Sequence, residues 1–341
     1  MQMPAVIRAT SIAGYKPQMD GLRAVACLVV VLLHMCYFCG FSGPTFQGVP
    51  KIGVWLFFVL SAFLLTLQLL NGTSLRDYAI GRALRILPPF VLAVAFYRVV
   101  GTLGVDDWNM VLDVLTFRVS AGHLWTIPPE LTFYLVLPVL LIGSLAVLDR
   151  AGIRATICAI IMTLALLAWA FPPADTPENS MWFGWYAITF MAGIAAALAV
   201  KKLPIPDVRV SRRIGVGSLA VLLIYATVAK VTGPPDALVN KHFVFGPLLA
   251  LITYSVFLSP PRFLCSRLMV SIGQVAYSTY LLHWAVGMGV SSVLSPWVAL
   301  PIGVIASVTA GWIGYQMVER PTYALRHRLF HKKSPQLAAT G

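Results

Sequence analysis

Residues 20–34 read DGLRAVACLVVVLLH, an apolar run with an arginine near its start and a histidine at its end. On a helix, Arg23 and His34 point to nearly the same side and lie about 16 Å apart along the axis. Ionisable groups at membrane depth are costly and usually face a cavity or a partner, so this helix face is a candidate functional surface. The structural alternative is an interfacial arginine and a histidine that is hydrogen-bonded to a neighbouring helix.

The composition excludes a soluble domain. The chain of 341 residues is 59% hydrophobic and 11% charged, whereas soluble domains carry about 25% charged residues. Its net charge of +13 comes from basic residues that are scattered among short connections. That pattern reports membrane topology and argues against a nucleic-acid partner. We therefore predict an all-α, polytopic membrane protein.

Ten apolar stretches are long enough to cross a hydrocarbon layer of about 30 Å. In the ninth, Gly287 and Gly289 favour an early end of the helix. Between the third and fourth spans, residues 111–120 are apolar but too few to cross, which predicts a short re-entrant or interfacial segment. The predicted spans are 22–40, 52–70, 86–103, 131–148, 153–171, 181–200, 214–230, 243–259, 268–290 and 297–318.

The basic residues set the orientation of these spans. Of 25 Lys and Arg residues, 20 fall in one set of alternate connections. Because cytoplasmic loops are enriched in Lys and Arg, both termini are predicted to be cytoplasmic. We expect one transmembrane domain over residues 1–330 and a basic, disordered tail over 331–341. The 20 residues are Arg8, Lys16, Arg23, Arg76, Arg82, Arg85, Arg150, Arg154, Lys201, Lys202, Arg209, Arg212, Arg213, Arg262, Arg267, Arg320, Arg326, Arg328, Lys332 and Lys333.

Two further clusters precede spans three and four. Arg82 and Arg85 share a helix face at the cytoplasmic surface, where guanidinium groups could bind phosphates or merely follow the basic bias of inner loops. The stretch 123–134 reads HLWTIPPELTFY. Trp125 and Tyr134 there fit either an acceptor-binding surface or an aromatic belt. Glu130 is either an acceptor-facing carboxylate or a favourable charge at a helix start.

Three other patterns favour structural interpretations. Cys36 and Cys39 have CxxC spacing, but no second ligand pair follows at zinc-like spacing, so we expect no metal. Tyr280 and His283 share a helix face in the ninth span, where a hydrogen-bonded intramembrane histidine is the favoured interpretation. Residues 319–321 read ERP, which predicts a helix stop with a local ion pair.

Taken together, these motifs resemble the acyltransferase-3 family of integral-membrane acyltransferases. The order and spacing of the motifs carry the resemblance, which covers residues 16–325. Ala62 stands where the family usually has glycine, and Leu131 where it usually has a second acidic residue. The resembling stretches are 20–34, 53–63, 82–88, 123–134, 277–284 and 319–321.

The resemblance implies a multi-pass enzyme of the cell inner membrane that moves an acyl group, commonly acetyl from acetyl-CoA, to a hydroxyl of a glycan or similar acceptor. Acyl-CoA would be a substrate, with no permanently bound cofactor, and the other partners would be a glycan or lipid-linked saccharide and membrane lipids.

The matched motifs also suggest residue roles. Arg82 and Arg85 would bind the donor phosphates with Arg23 nearby, and His34 would act as general base or accept the acyl group itself. Glu130 and Trp125 would position the acceptor or orient His34, beside Tyr134.

Two other functional classes remain open. Ten spans, intramembrane ionisable residues and a broken helix also suit a transporter or exporter of a glycan or small solute. The absence of an evident inverted repeat favours the enzyme over this alternative. A scaffold without catalytic activity is the third possibility, and it does not explain so many ionisable groups at membrane depth.

Overall fold

The computed structural model describes residues 14–41, 43, 47–234 and 236–331, and every regular element in these ranges is helical. The predicted all-α class is therefore confirmed. Residues 332–341 of the predicted basic tail and Arg8 lie outside the described residues.

The described chain forms twelve α-helices. A 3₁₀ turn, Gly122–Thr126, leads into α5, and a π-helical turn, Tyr315–Glu319, joins α11 to α12. The helices are α1 Pro17–Phe38, α2 Val49–Leu70, α3 Leu75–Val100, α4 Trp108–Leu115, α5 Ile127–Ala170, α6 Phe183–Lys202, α7 Val208–Thr232, α8 His242–Leu258, α9 Arg267–Gln274, α10 Ala276–Val293, α11 Pro296–Gly314 and α12 Arg320–His331.

Seven segments in the described ranges are long and apolar enough to cross a membrane. The other three predicted spans coincide with helices outside that set: the shorter Arg154–Ala170 and His242–Leu258, and α10. Large apolar side chains face outward, for example Leu135, Trp169 and Val231 at 79%, 82% and 78% exposure. Such an apolar exterior is what a lipid environment requires, and the chain is a multi-pass membrane protein. The seven segments are Pro17–Phe38, Val49–Leu70, Leu75–Val100, Gly122–Gly152, Phe183–Lys202, Val208–Thr232 and Pro296–Leu325.

The structure confirms one predicted helix boundary, corrects another and locates the predicted short segment. The spans 131–148 and 153–171 are separate, as predicted, because Gly152 leaves helical geometry with φ of 77° and divides α5 into two helical segments. The early end predicted in the ninth span was wrong, because α10 continues through Gly287 to Val293. A Cβ on Gly287 would lie 2.6 Å from the Phe38 ring, so this glycine permits close packing of α1 and α10. The predicted short segment between spans three and four is the eight-residue helix α4.

Helix α1 is the central element of the packing. It contacts α2, α8, α9, α10 and α11, as well as the 3₁₀ turn Arg262–Cys265. At its start, a Cβ on Gly21 would lie 2.1 Å from the carbonyl oxygen of Leu264, and one on Gly273 would lie 1.9 Å from that of Asp20. Two glycines therefore bring the backbone of α1 against the segment 262–274, which holds Asp20 and Arg23 in place.

Connections that were predicted to lie on the same side of the membrane contact one another. On the outer side, Gly48 lies against Val239, and Lys51 pairs with Glu178 at 3.4 Å. On the opposite side, Gly21 packs on the segment 262–274, and Tyr323 of α12 contacts α3. The start of α1 and the helix α12 therefore lie on one side, and the distribution of basic residues predicts that this side is cytoplasmic.

The close approach at Gly21 predicts a stability effect. Gly21→Ala would place a methyl group against a backbone carbonyl that cannot move away, and overpacking of this kind costs about 1–3 kcal/mol. We expect a lower Tm of the detergent-solubilised protein than in the wild type. Gly217→Ala on α7 is the matched control, because nothing lies within 4 Å of its added Cβ and alanine favours the helix. Equal Tm values for the two variants would contradict this packing.

Candidate active site

Two cavities lie in the helical core and meet at two residues. The first, here called the arginine cavity, is lined by Arg23, Arg82 and Arg85. The second, here called the histidine cavity, is lined by His34 and His123 and has a volume of about 530 Å³. That volume lies within the range of about 300–1,000 Å³ that is usual for small-molecule sites. Val54 and Tyr280 line both cavities.

His34, on the wall of the histidine cavity, is hydrogen-bonded to a second histidine that is buried behind it. His34 Nδ1 of α1 lies 2.9 Å from His283 Nε2 of α10. The other nitrogen of His283, Nδ1, donates to the carbonyl oxygen of Tyr280 at 2.6 Å. His34 is half-buried, whereas His283 is 1% exposed. Two hydrogen bonds therefore connect His34 on the cavity wall, through His283, to the backbone of α10.

A third histidine completes this wall. The rings of His123 and His283 lie 4.6 Å apart between centroids, and His123 stacks on Trp284 at 5.8 Å. Although His123 is buried, neither of its ring nitrogens has a hydrogen-bond partner among the described residues. The imidazole therefore has donor and acceptor capacity that a polar group of a molecule in this cavity could use.

A cation and an aromatic ring also line the histidine cavity. Lys51 pairs with Glu178 at 3.4 Å, and its ammonium lies 5.9 Å from the Trp125 ring centroid. Trp125 is 4% exposed and packs on Tyr186 at 5.3 Å. Polar groups and an aromatic surface around an open space suit a polar ligand with apolar faces.

The arginine cavity carries excess positive charge. Arg23 is paired with Asp20 at 2.7 Å, and Arg85 donates to the Tyr323 hydroxyl. The Nε of Arg82 is buried without a hydrogen-bond partner among the described residues. Three arginines line this cavity together with a single carboxylate, that of Glu130. Such an arrangement favours an anion that accepts several charged hydrogen bonds, and phosphate groups fit this chemistry.

Glu130 faces the arginine cavity from α5. Its carboxylate accepts from the Ser61 hydroxyl of α2 at 2.6 Å and from the Tyr134 hydroxyl one turn along. Because both hydroxyl groups donate to it, the carboxylate is held in one orientation. Glu130 and Ser61 are separated by 69 residues in the sequence, so this contact joins α5 to α2.

Tyr280 separates the two cavities. Its hydroxyl donates to the backbone oxygen of His123 at 2.6 Å and lies 3.0 Å from the Thr126 hydroxyl. The same residue provides the carbonyl that accepts from His283. A molecule that extended from one cavity to the other would therefore pass Tyr280 and Val54, directly beside the histidine pair.

The C-terminal motif at residues 319–321 differs from its prediction. Glu319 is fully buried, and its Oε1 accepts from the Ser278 hydroxyl at 2.6 Å and from the Ser278 backbone N–H at 3.2 Å. The predicted ion pair with Arg320 was wrong, because Arg320 bonds Gln316 instead. The predicted helix stop was also wrong, since α12 continues to His331. Glu319 thus joins the π-helical turn to α10.

The structure divides the predicted site residues between the two cavities. His34 and Trp125 line the histidine cavity. Glu130 and Tyr134 line the arginine cavity instead, and their part in acceptor binding stays a prediction. Arg82 and Arg85 lie inside α3 rather than before it, and they are half-buried rather than at the surface. Arg23, the remaining predicted site residue, also lines the arginine cavity.

Sequence reasoning missed the roles of several residues in and next to the two cavities. His283 and Tyr280 share a helix face in the sequence pattern, but a structural histidine was the favoured interpretation. His123 stood within the 123–134 motif without a role, and Ser61 within the 53–63 stretch. Lys51 was missed as well. The sequence signal that could have found it is that basic residues are rare in the connections predicted to lie on the outer side.

Comparisons with known proteins agree with this architecture. A family model described as an acyltransferase domain, acyltransferase-3, matches residues 16–316. A candidate peptidoglycan O-acetyltransferase of Bacillus subtilis (strain 168) is 25% identical over 94% of this chain and 56% of its own length. A candidate O-acetyltransferase of Staphylococcus aureus (strain MSSA476) is 24% identical over 80% of this chain and 50% of its own length. Nodulation protein 10 of Rhizobium leguminosarum bv. viciae is 24% identical over 94% of this chain and 97% of its own length.

The chain spans about half the length of the first two of these relatives. No solved structure matches the chain. The fold and the cavities define a multi-pass α-helical membrane protein with a polar core. Because the family model covers most of the sequence, the chain belongs to the acyltransferase-3 family.

Proposed function

We propose that this protein transfers an acyl group, most simply acetyl, from cytoplasmic acyl-CoA to a hydroxyl of a glycan acceptor. The observation that carries the proposal is the pair of cavities that meet at Val54 and Tyr280. One has the cationic groups that a phosphate-bearing donor needs, and the other has a histidine base beside a space for an acceptor. O-acetyltransferase names among the relatives support the same reaction class.

The donor would occupy the arginine cavity. Its phosphates would accept hydrogen bonds from Arg82 and Arg85, with Arg23 at the same cytoplasmic mouth. The pantetheine arm would extend past Val54 and Tyr280 and bring the thioester to His34. This assignment explains why Arg82 keeps a buried, unpartnered Nε among the described residues.

Glu130 and Tyr134 would act on the donor side. The Glu130 carboxylate holds the Ser61 and Tyr134 hydroxyl groups, and all three line the arginine cavity. We therefore propose that they shape the passage for the pantetheine arm, whose amide groups need hydrogen-bond partners in a buried channel.

The acceptor would occupy the histidine cavity. Its walls combine Trp125, Lys51 and the exposed Glu178. Aromatic rings and charged hydrogen-bonding groups suit a saccharide, whose apolar faces alternate with hydroxyl groups. The name of the Bacillus subtilis relative, which refers to peptidoglycan, supports a glycan acceptor of this kind. The cavity opens on the outer side of what we propose is the inner membrane.

The reaction is a single acyl transfer in this mechanism. His34 takes the proton of the acceptor hydroxyl while the oxygen attacks the thioester carbonyl carbon. The new C–O bond forms, the C–S bond breaks, and the departing thiolate takes the proton from His34. The products are the O-acyl glycan and free CoA. In the alternative, His34 itself first receives the acyl group and passes it on.

The variant His34→Ala tests the role of His34 as the general base. General acid–base groups contribute about 10²–10⁴-fold to rate, so we expect transfer of label from radioactive acetyl-CoA to glycan in membranes to fall at least about 100-fold. The rise in Tm on adding CoA should persist, because the arginine cavity is unchanged. Retained transfer would refute the role of His34. Absence of acylated product from wild-type membranes would favour a transporter.

Arg82→Ala and Arg85→Ala test donor binding. A hydrogen bond to a charged group contributes about 1.5–3 kcal/mol, so we expect the KM for acetyl-CoA to rise about tenfold or more in each variant. The matched control is Arg76→Ala, since Arg76 lies on the same helix but is exposed. An unchanged KM in both cavity variants would exclude a phosphate-binding role.

A further inference from the structure

His283 adjoins His34 and has a defined protonation pattern. Its Nδ1 lies 2.6 Å from the carbonyl oxygen of Tyr280. A carbonyl oxygen only accepts hydrogen bonds, so Nδ1 of His283 must carry a hydrogen. In the neutral imidazole the other nitrogen, Nε2, then has a lone pair and no hydrogen.

This pattern determines the tautomer of His34. His283 Nε2 lies 2.9 Å from His34 Nδ1, and the hydrogen between them must belong to His34. His34 is then protonated on Nδ1, and its Nε2 carries the free lone pair. No described residue bonds Nε2 of His34, and the ring lines the histidine cavity. A base in this tautomer is ready to accept a proton from a molecule in that cavity.

The ring geometry supports a directional hydrogen bond. The His34 and His283 planes differ by 17°, and their centroids are 5.1 Å apart. Face-to-face stacking is excluded, because a nitrogen separation of 2.9 Å is shorter than the ~3.5–4.0 Å contact of stacked atoms. The rings therefore meet edge to edge and nearly coplanar, the arrangement in which an N–H of one ring points at the lone pair of the other.

We propose that His283 is a positioning residue that holds His34 in the tautomer with an unprotonated Nε2. The inference rests on the proposed acyl transfer. When His34 receives the acceptor proton on Nε2, its Nδ1–H bond to His283 becomes charge-assisted and stronger. His283 thereby also stabilises the imidazolium that forms during transfer. His123 is outside this chain of bonds, because its nitrogens have no hydrogen-bond partner among the described residues.

Two amide variants separate positioning from packing. In His283→Gln, the side-chain oxygen can occupy the place of Nε2 and accept from His34. In His283→Asn, the shorter amide reaches the place of Nδ1 and leaves His34 without an acceptor. We expect kcat for acetyl transfer in membranes to fall about 100-fold in the Asn variant. This value is the lower end of the range for the loss of a general acid–base contribution. The Gln variant should stay within about tenfold of wild type, and the KM for acetyl-CoA should be unchanged in both.

A merely structural role would lower kcat equally in both variants, or more in the Gln variant, and either result overturns the proposal. If the Asn variant shows a reduced Tm, His283→Met replaces it, because methionine fills the space without a strong acceptor. Retained kcat in that variant would also overturn the role. Failure of the proposed function is distinguishable, because wild-type membranes would then transfer no label and His34→Ala would change nothing.

Discussion

Ionisable groups inside a membrane must find partners within the protein, and this constraint organises the helical core. Arg23 lies on a helix that crosses the hydrocarbon region, and Asp20 one turn away neutralises it at 2.7 Å. Two glycines hold that turn against the segment 262–274. Because lipid offers no alternative partner, the polar face of α1 must turn toward other helices. The packing of α2, α9, α10 and α11 around α1 follows from this requirement.

The same helix contributes to both cavities. Arg23 lines one and His34 the other, at a spacing that is set by the helical rise. Tyr280 lies between them and bonds to elements of both walls. A donor and an acceptor from opposite sides of a membrane could thus meet without an open pore, since the shared boundary consists of Val54 and Tyr280.

Sequence reasoning succeeded where the position of a side chain depends on the period of its own helix. His34 and Arg23 face cavities, as the helical period of residues 20–34 predicted. The sequence did not reveal the partner of Glu130, because Ser61 is 69 residues away and helical periodicity does not identify the helix that faces a given side. The same reason applies to Glu319, whose partner Ser278 lies on another helix. A buried carboxylate takes the nearest donor in space, which neighbours in sequence do not reveal.

The amino-acid sequence by itself determined the helical class and the apolar spans, and it predicts the orientation. These properties depend on the apolar length of each segment and on where basic residues fall. Tertiary structure alone decided the partners: His283 with His34, Glu130 with Ser61, and Tyr323 with Arg85. The physical reason is that crossing a membrane is a property of one segment, whereas a hydrogen bond or ion pair requires two helices in a particular packing.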